Sequence, residues 1–167
     1  AGACLLQLQA CWLLAPVAPS VSTQARTAVD LAARFPTNVA TLSVVLPCAN
    51  ESEYVWRTVA AVFEATPSDV LFEILVVDDA SEPPILDDLA PGFLEAHRAA
   101  VIRHNTPEGL IRTKKDGGDA ARGDVIVFLD CHVKPMENWT APILANLREN
   151  PRRVVVPAIT SLDPDTW

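Results

Sequence analysis

The feature that most constrains this chain is an alternation of short apolar, β-branched runs with segments of helical periodicity. Continuous Val/Ile/Leu runs are typical of strands that are buried on both faces of a parallel sheet, and helices join such strands by right-handed crossovers. We therefore predict an α/β fold with a mainly parallel sheet and helices on both faces. The predicted strands are Leu42–Leu46, Glu73–Val77, Ala99–Arg103, Val125–Leu129 and Arg153–Val156.

Three helices are predicted between these strands. In the first, Val55, Val59 and Val62 share one face, and Asn50 stands where an N-cap is expected. The second is expected to begin near Glu108, after a Thr-Pro pair, and its Gly117-Gly118 pair either weakens the helix or lets a neighbour approach closely. The third is expected to run from a cap at Asn138 to about Arg148.

The N-terminal segment has a different character. Ala3–Ala18 is apolar but too short to span a bilayer, so it is either the remnant of a signal or anchor segment or a packed helix. Ala15–Ser22 is expected to be a linker, and Ser22–Arg34 a weak helix. We assign residues 1–34 to this segment and linker, and residues 35–167 to the main domain.

Composition narrows the classes of function. The formal net charge of −8 argues against a general nucleic-acid binder, and the absence of any CxxC pair argues against a zinc knuckle. Residues 73–95 hold seven acidic residues and no Lys or Arg, whereas residues 98–122 hold six Lys or Arg and three acidic residues. An acidic segment next to a basic one could hold a metal and a polyphosphate together, or the two segments could be differently charged solvated faces.

Ligands of open α/β sheets bind beyond the carboxyl ends of the strands. At one such end, Asp130, Cys131 and His132 follow a buried run. In an extended chain, residues two apart point to the same side, so Asp130 and His132 could bind one cation, with Cys131 facing away. A carboxylate with an imidazole indicates a Mn²⁺ site rather than a thiolate-rich zinc site. Two protein ligands also leave positions on the metal for phosphate oxygens. The alternative is a solvated Asp beside a hydrogen-bonded His.

Two other strand ends carry polar residues. Asp78 and Asp79 are adjacent carboxylates that could accept hydrogen bonds from a ribose or a base, or could simply form a turn. Gly109 permits close approach to the start of a helix, where anions bind, and Arg112 lies one turn further on. No Walker A motif, G-x-G-x-x-G motif or G-x-S-x-G elbow is present.

The order of these motifs resembles the N-terminal half of the catalytic domain of polypeptide N-acetylgalactosaminyltransferases, over residues 35–167. The resemblance rests on short segments in a fixed order: Ser43–Leu46, Asn50-Glu51, Arg57–Val59, Glu73–Ser81, Glu108–Arg112, Phe128–His132, Trp139 and Arg153–Pro157. It implies a Rossmann-like GT-A nucleotide-sugar-binding fold. It also implies Mn²⁺-dependent transfer of GalNAc from UDP-GalNAc to Ser or Thr of polypeptides.

The same resemblance implies roles for individual residues. Asp79 would contact the uracil end of UDP, while Asp130 and His132 would hold Mn²⁺ against the diphosphate. Nucleotide-sugar contacts are expected from Asn50, Glu51, Asp78, Asp79, Gly109, Arg112, Asp130 and Cys131. The family is anchored as type II membrane proteins that face the Golgi lumen, so we expect that location and an anchor upstream of this chain.

The chain departs from the family pattern at three points. Cys48-Ala49 replaces the usual Phe-His, and Pro107 replaces an Arg. The chain also stops at Trp167, before the segments that supply the family's further metal-binding His, so no third ligand is evident among His97, His104 and His132. We therefore keep three alternatives: another UDP-sugar GT-A transferase, a non-catalytic nucleotide-binding pseudoenzyme, and a receiver-like or flavodoxin-like domain.

Overall fold

The computed structural model describes residues 5–9, 38–87 and 89–163. Seven strands and four helices occur in these ranges. The strands are β1 (Leu5–Gln9), β2 (Leu42–Cys48), β3 (Leu71–Asp78), β4 (Ala99–Arg103), β5 (Val125–Phe128), β6 (Val133–Pro135) and β7 (Ala158–Leu162). The helices are α1 (Ser52–Ala65), α2 (Phe93–Ala96), α3 (Leu110–Ala120) and α4 (Thr140–Glu149).

The main sheet has four parallel strands in the order β4-β3-β2-β5. Alternate residues of the central strands enter two separate cores. Val44 and Ile74 pack with Val59 of α1 in the larger core, whereas Val45 and Val77 face α3. Helices therefore cover both faces, and the predicted α/β architecture is confirmed.

Helix α3 lies close to the sheet because Gly117 has no side chain. A Cβ built on Gly117 would lie 2.4 Å from Val45 Cγ1 and 2.9 Å from Val77 Cγ2. At Gly118 the nearest atom would be Cζ of the Phe128 ring, at 3.3 Å. The close approach that the Gly-Gly pair predicts is thus made by Gly117.

A second sheet of three strands contains the N-terminal strand. β1 pairs in parallel with β6 and antiparallel with β7. A packed helix was one interpretation of Ala3–Ala18, and it is wrong for Leu5–Gln9, because these residues pair with strands on either side. The predicted linker and the helix Ser22–Arg34 lie outside the described residues. No helix of the described part is both long and apolar enough to cross a bilayer.

The predicted strand Arg153–Val156 is not formed. The segment pairs with no strand of the described residues, and Val154 and Val156 are 89% and 78% exposed. Its β-branched composition suits a strand, but a strand also needs a neighbour to satisfy its backbone groups. β7, which the sequence did not predict, lies just beyond this segment and has β1 as its neighbour.

All three predicted helix starts are displaced by one or two residues. α1 has Glu51 rather than Asn50 at its N-cap, without a side-chain capping bond, because the Asn50 side chain accepts a hydrogen bond elsewhere. α3 begins at Leu110 instead of near Glu108, because the backbone amides of Glu108 and Gly109 are bound by a side chain of another loop. α4 follows Trp139, while Asn138 adopts a left-handed conformation with φ of 60°.

Candidate active site

The loops that follow β2, β3, β4 and β5 meet at the carboxyl edge of the main sheet. The strands are parallel and in register, so their carboxyl ends lie side by side. Backbone hydrogen bonds join the loops directly: Asp79 N donates to Cys48 O at 2.8 Å, and His104 N donates to Asp78 O at 2.9 Å. The predicted gathering of polar residues at one edge is confirmed by this topology.

Asp79 lies at the centre of the first group of side chains, the Asp79 cluster (Asp79, His104, Glu108, Gly109 and Asp116). Its carboxylate accepts hydrogen bonds from the backbone N–H of Glu108 and of Gly109, each at 2.8 Å. Nδ1 of His104 lies 2.8 Å from Oδ1 of the same carboxylate. A carboxylate offers about four acceptor positions, so about one is left for a ligand N–H such as that of a base.

These contacts shift the titration of both partners. Burial raises the pKa of Asp79, but the amides of Glu108 and Gly109 and the His104 ring outweigh it and lower that pKa overall. The Asp79 carboxylate raises the pKa of His104, with Asp116 adding to the effect. The cluster therefore favours an ionised carboxylate beside a protonated imidazole.

Asp116 connects the Asp79 cluster to the exposed face of α3. Its Oδ2 lies 3.2 Å from His104 Nε2 and accepts a 2.8 Å hydrogen bond from Nε of Arg112. The Arg112 side chain is 58% exposed. The guanidinium is thereby oriented on the first turn of α3 and faces solvent, as an anion-binding residue would.

Asp78 is in a different position from its neighbour. The residue is fully buried, Oδ1 accepts a 3.0 Å hydrogen bond from the Ser81 amide, and Oδ2 is paired with Arg103. Arg103 also donates to the Ser81 carbonyl at 2.9 Å. The structure thus gives Asp78 a role in shaping the loop after β3, while its predicted contact with a nucleotide stays a prediction.

Asn50 joins two loops of the edge. Its backbone N–H donates to Ser81 Oγ, and its side-chain oxygen accepts from the Glu82 amide, both at 2.9 Å. The residue has φ of 58°, which Asn tolerates better than most residues do. These bonds explain why Asn50 is not the expected helix cap, and they hold the loop after β2 against the loop after β3.

The second group at the edge is the His132 cluster, made of Glu51, Cys131 and His132. One ligand atom from each residue lies within 4.8 Å of the other two. The distance between His132 Nδ1 and Glu51 Oε2 is 3.4 Å. His132 Nδ1 is inaccessible to water yet has no hydrogen-bond partner, although buried polar atoms nearly always have one.

The position of Cys131 differs from the expectation that its side chain faces away from His132. The chain turns at Cys131 and His132 instead of continuing as a strand. Buried Thr58 fixes this turn, because its Oγ1 donates to Cys131 O at 3.0 Å and accepts from Val133 N at 3.1 Å. Asp130 is half-buried and is not a member of the group of three.

Cys131 also contacts a second thiol. Cys48 and Cys131 are both buried free cysteines, and the side-chain hydrogen bond between them, followed by burial, raises the pKa of the Cys131 thiol above its ordinary value. Continuing the β2–β5 register from Val45 and Phe128 brings Cys48 opposite Cys131. Cys48 therefore lies beside Cys131, next to the His132 cluster.

The remaining histidines do not join the His132 cluster. His97 stacks on Phe93, with ring centroids 4.0 Å apart, and His104 lies in the Asp79 cluster. Among the described residues, Glu51 and Cys131 are the groups that lie close enough to His132 to share a metal ion with it. Sequence reasoning also missed the roles of His104 and Asp116, and the position of His104 directly after β4 was the one signal for them.

Comparisons with known proteins agree with this architecture. Residues 43–167 match the model of the family described as glycosyl transferase family 2. Polypeptide N-acetylgalactosaminyltransferase 11 of Xenopus tropicalis is 40% identical over 139 residues, covering 79% of this chain and 23% of the relative. An inactive polypeptide N-acetylgalactosaminyltransferase-like protein 5 of Macaca fascicularis is 36% identical over 144 residues, covering 84% of this chain and 32% of the relative.

Solved structures extend the comparison. The crystal structure of GalNAc-T7 with UDP, GalNAc and Mn²⁺ matches 67% of this chain and 21% of that protein, with a TM-score of 0.62 and 33% identity. S. aureus TarS matches 65% of this chain and 20% of its own, with a TM-score of 0.51 and 22% identity, and so shows likeness of fold alone. This chain thus spans between a fifth and a third of the length of these proteins. The family match, together with the parallel sheet that GalNAc-T7 shares, establishes that the chain belongs to glycosyl transferase family 2, with a GT-A fold of the polypeptide N-acetylgalactosaminyltransferase type.

Proposed function

We propose that this chain forms the UDP-sugar-binding part of a glycosyltransferase that transfers GalNAc to Ser or Thr of polypeptides with the help of a divalent cation. The observation that carries the proposal is the buried, unpartnered Nδ1 of His132, 3.4 Å from the Glu51 carboxylate at the carboxyl edge of the sheet. Ligands of open parallel sheets bind at this edge. The similarity to GalNAc-T7, whose crystal structure contains UDP, GalNAc and Mn²⁺, supports the choice of donor and metal.

The residues present fit a divalent cation. A carboxylate and an imidazole nitrogen without a hydrogen-bond partner are donors that Mn²⁺ accepts, and Asp130 precedes His132 in the loop after β5. When bound, the cation would offset negative charge on the leaving diphosphate. His132 would hold it through Nδ1, with Glu51 and Asp130 supplying carboxylate oxygens.

The Asp79 cluster would bind the other end of the donor. Asp79 holds the Glu108 and Gly109 amides, which sets the loop before α3 and leaves about one acceptor position for a base N–H. Arg112, oriented by Asp116, would attract the negatively charged diphosphate. The family resemblance further supports a location in the Golgi lumen behind an upstream membrane anchor.

The test is calorimetric titration of UDP into the chain with and without Mn²⁺. We expect at least tenfold tighter binding with Mn²⁺, and we expect the Asp130→Ala variant to lose that gain. Asp119→Ala is the matched control, because this exposed carboxylate on α3 pairs with Lys115. If Asp130→Ala binds UDP with unchanged affinity in Mn²⁺, the assignment of the metal site is wrong.

A non-catalytic nucleotide-binding protein is the second candidate. It is favoured by Cys48-Ala49 and Pro107, which replace residues expected to contact the donor in the family, and by similarity to a relative whose name describes it as inactive. The two candidates differ in turnover, not in binding. Release of UDP from UDP-GalNAc in the presence of a Thr-containing peptide would support the transferase, whereas Mn²⁺-dependent UDP binding without turnover would support the second candidate.

A further inference from the structure

We propose that Asn138 is an N-glycosylation site, and that its glycan lies on a surface away from the edge that binds the donor. N-glycosylation requires the motif Asn-x-Ser/Thr, in which x is not Pro. The motif occurs twice in this chain, at Asn50-Glu51-Ser52 and at Asn138-Trp139-Thr140. The inference goes beyond the proposed function and rests on one part of it, the location in the lumen of the secretory pathway.

Asn138 does not have the capping role that an Asn before a helix commonly has. Trp139 is the N-cap of α4, and no side chain makes a capping bond there. Asn138 is exposed, with φ of 60°, and its carboxamide has no hydrogen-bond partner among the described residues. It lies in a turn that a 3.3 Å hydrogen bond from Trp139 N to Met136 O closes. Nδ2 can therefore carry a substituent without the loss of a contact.

The two residues that follow Asn138 are buried in the folded chain. Trp139 is 5% exposed, and its Nε1 donates to Thr66 Oγ1 at 3.1 Å, while Thr140 is 2% exposed. Because the motif requires the hydroxyl of Thr140, the transfer has to precede the folding of this segment. After folding, the buried pair fixes the turn, and the side chain of Asn138 stays at the surface.

Asn138 lies near the opposite end of α1 from the His132 cluster. Glu51 is the N-cap of α1 and belongs to that cluster, whereas Thr66, which binds Trp139, directly follows the last residue of the helix. At a rise of about 1.5 Å per residue, the 14 residues of α1 span about 20 Å. A glycan on Asn138 thus leaves the edge that binds the donor open.

Asn50 has the same motif and a similar backbone conformation, with φ of 58°, but a different position. Its side-chain oxygen accepts a 2.9 Å hydrogen bond from Glu82 N, and the next residue is Glu51 of the His132 cluster. A glycan on Asn50 would lie at the edge that binds the donor and obstruct UDP. The proposal therefore concerns Asn138 alone.

The transfer step takes its sugar from a lipid-diphosphate-linked oligosaccharide, with an oligosaccharyltransferase of the secretory pathway as catalyst. The bond between the anomeric carbon and the diphosphate oxygen breaks, and the lipid diphosphate leaves with the electron pair. Nδ2 of Asn138 forms a bond to that carbon, and one of its two protons passes to a base. No group is oxidised or reduced, and a bulky, solubilising substituent is added at the surface.

The experiment produces the full chain in mammalian cells behind a cleavable secretion signal. Ser52→Ala removes the first motif but keeps Asn50, so any N-glycan on this variant is on Asn138. We expect a glycan that peptide N-glycosidase F removes, with Asn138 converted to Asp in the peptide map. Adding Asn138→Gln should abolish it, whereas adding Thr140→Ser, the matched control, keeps the hydroxyl and should retain the glycan.

Removal of the glycan from the folded chain tests its position. We expect the UDP affinity in Mn²⁺ to agree within about twofold before and after removal, because the glycan lies about 20 Å from the metal cluster. If neither form binds UDP, the proposed function fails, and the occupancy of Asn138 still decides this proposal.

Two results would overturn the proposal. One is a secreted chain, folded by far-ultraviolet circular dichroism, that has no glycan on Asn138. The other is a UDP affinity that rises about tenfold or more when the glycan is removed. Where Ser52→Ala is not secreted, peptide mapping of the unaltered chain measures the occupancy of Asn138 and of Asn50 separately.

Discussion

Two acid–histidine pairs lie at the same edge of the sheet, and they have opposite surroundings. In the Asp79–His104 pair the closest atoms are 2.8 Å apart, and the carboxylate also binds two backbone amides while the ring also meets Asp116. In the Glu51–His132 pair the closest atoms are 3.4 Å apart, and the buried ring nitrogen has no hydrogen bond. The first pair is satisfied by the protein, and the second is not.

This difference separates structural groups from ligand-binding groups of the same chemical type. A satisfied buried pair stabilises the fold because removing either member leaves the other without a partner. An unsatisfied buried nitrogen costs stability in the isolated protein, and the cost is recovered when a ligand binds. We therefore expect substitutions in the Asp79 cluster to change stability first, and substitutions in the His132 cluster to change binding first.

The largest expected effect on stability comes from Asp79→Asn. The amide can accept hydrogen bonds at Oδ1 only, so its NH₂ group faces a backbone N–H and one amide donor is left unpaired. We expect the free energy of unfolding to fall by about 2–3 kcal/mol, as for the loss of a charged hydrogen-bonded group. Urea denaturation monitored by circular dichroism measures the change.

Glu51→Gln is the matched variant for the other pair. Glu51 makes no side-chain capping bond and its side chain is 30% exposed, so we expect the free energy of unfolding to change by no more than about 0.5 kcal/mol. Metal affinity should fall instead. A loss of stability in Glu51→Gln as large as in Asp79→Asn would remove the distinction between the two pairs.

Gly117→Ala tests how firmly α3 is held behind the Asp79 cluster. A Cβ here would lie 2.4 Å and 2.9 Å from side-chain carbons of Val45 and Val77, both in the buried sheet. The overpacking cost of about 1–3 kcal/mol exceeds the gain of about 1 kcal/mol in helix propensity. We expect a net destabilisation of about 1–2 kcal/mol in urea denaturation.

Gly118→Ala is the control on the same helix. Its Cβ would meet the end of the Phe128 ring at 3.3 Å, and Phe128 is 44% exposed and can move. The helix-propensity gain should therefore make this variant neutral or slightly more stable. If both variants destabilise equally, the close packing of α3 on the sheet is not what holds Asp116 beside His104.

The sequence predicted the parallel sheet because strand periodicity is a local property. Ala99–Arg103 forms as predicted, and the other three strands of the main sheet agree to within two residues at either end. Arg153–Val156 has an equally suitable composition but no partner strand, and pairing is not written in a local run of residues. β1 does have partner strands, but it was not predicted because these partners, β6 and β7, lie more than 120 residues away in the chain.

In the candidate site too, some features were predictable from local sequence and others depended on distant residues. That Asp79, Gly109, Asp130 and His132 lie at one edge followed from strand order and polarity. That Asp79 binds the Glu108 and Gly109 amides, and that Cys131 joins His132 rather than facing away, depended on turns set by distant partners. Thr58, which fixes the Cys131 turn, is 73 residues away from it and carries no sequence signal of that role.

The smallest expected effect is a dependence of stability on pH that belongs to the Asp79 cluster. Because the folded-state pKa of His104 is raised, the contribution of its contacts with Asp79 and Asp116 is full below pH ~6.5 and is lost as pH rises through the folded-state pKa. Because the pKa of Asp79 is lowered, its contribution is present above pH ~4 and is lost as pH falls. The stabilisation from the pair should therefore be largest between these limits.

The measurement is the difference in unfolding free energy between the unaltered chain and His104→Gln, taken from pH 5 to pH 9. We expect this difference to shrink steadily above pH ~6.5, because the folded unaltered chain binds more protons at the imidazole than the unfolded chain does. In an Asp79→Asn background the same difference should vary less with pH, since the carboxylate that does most to raise the pKa of His104 has been removed. A difference that stays constant over this range would mean that the ring is neutral in the folded protein, and that Asp79 orients it through a hydrogen bond without ionic attraction.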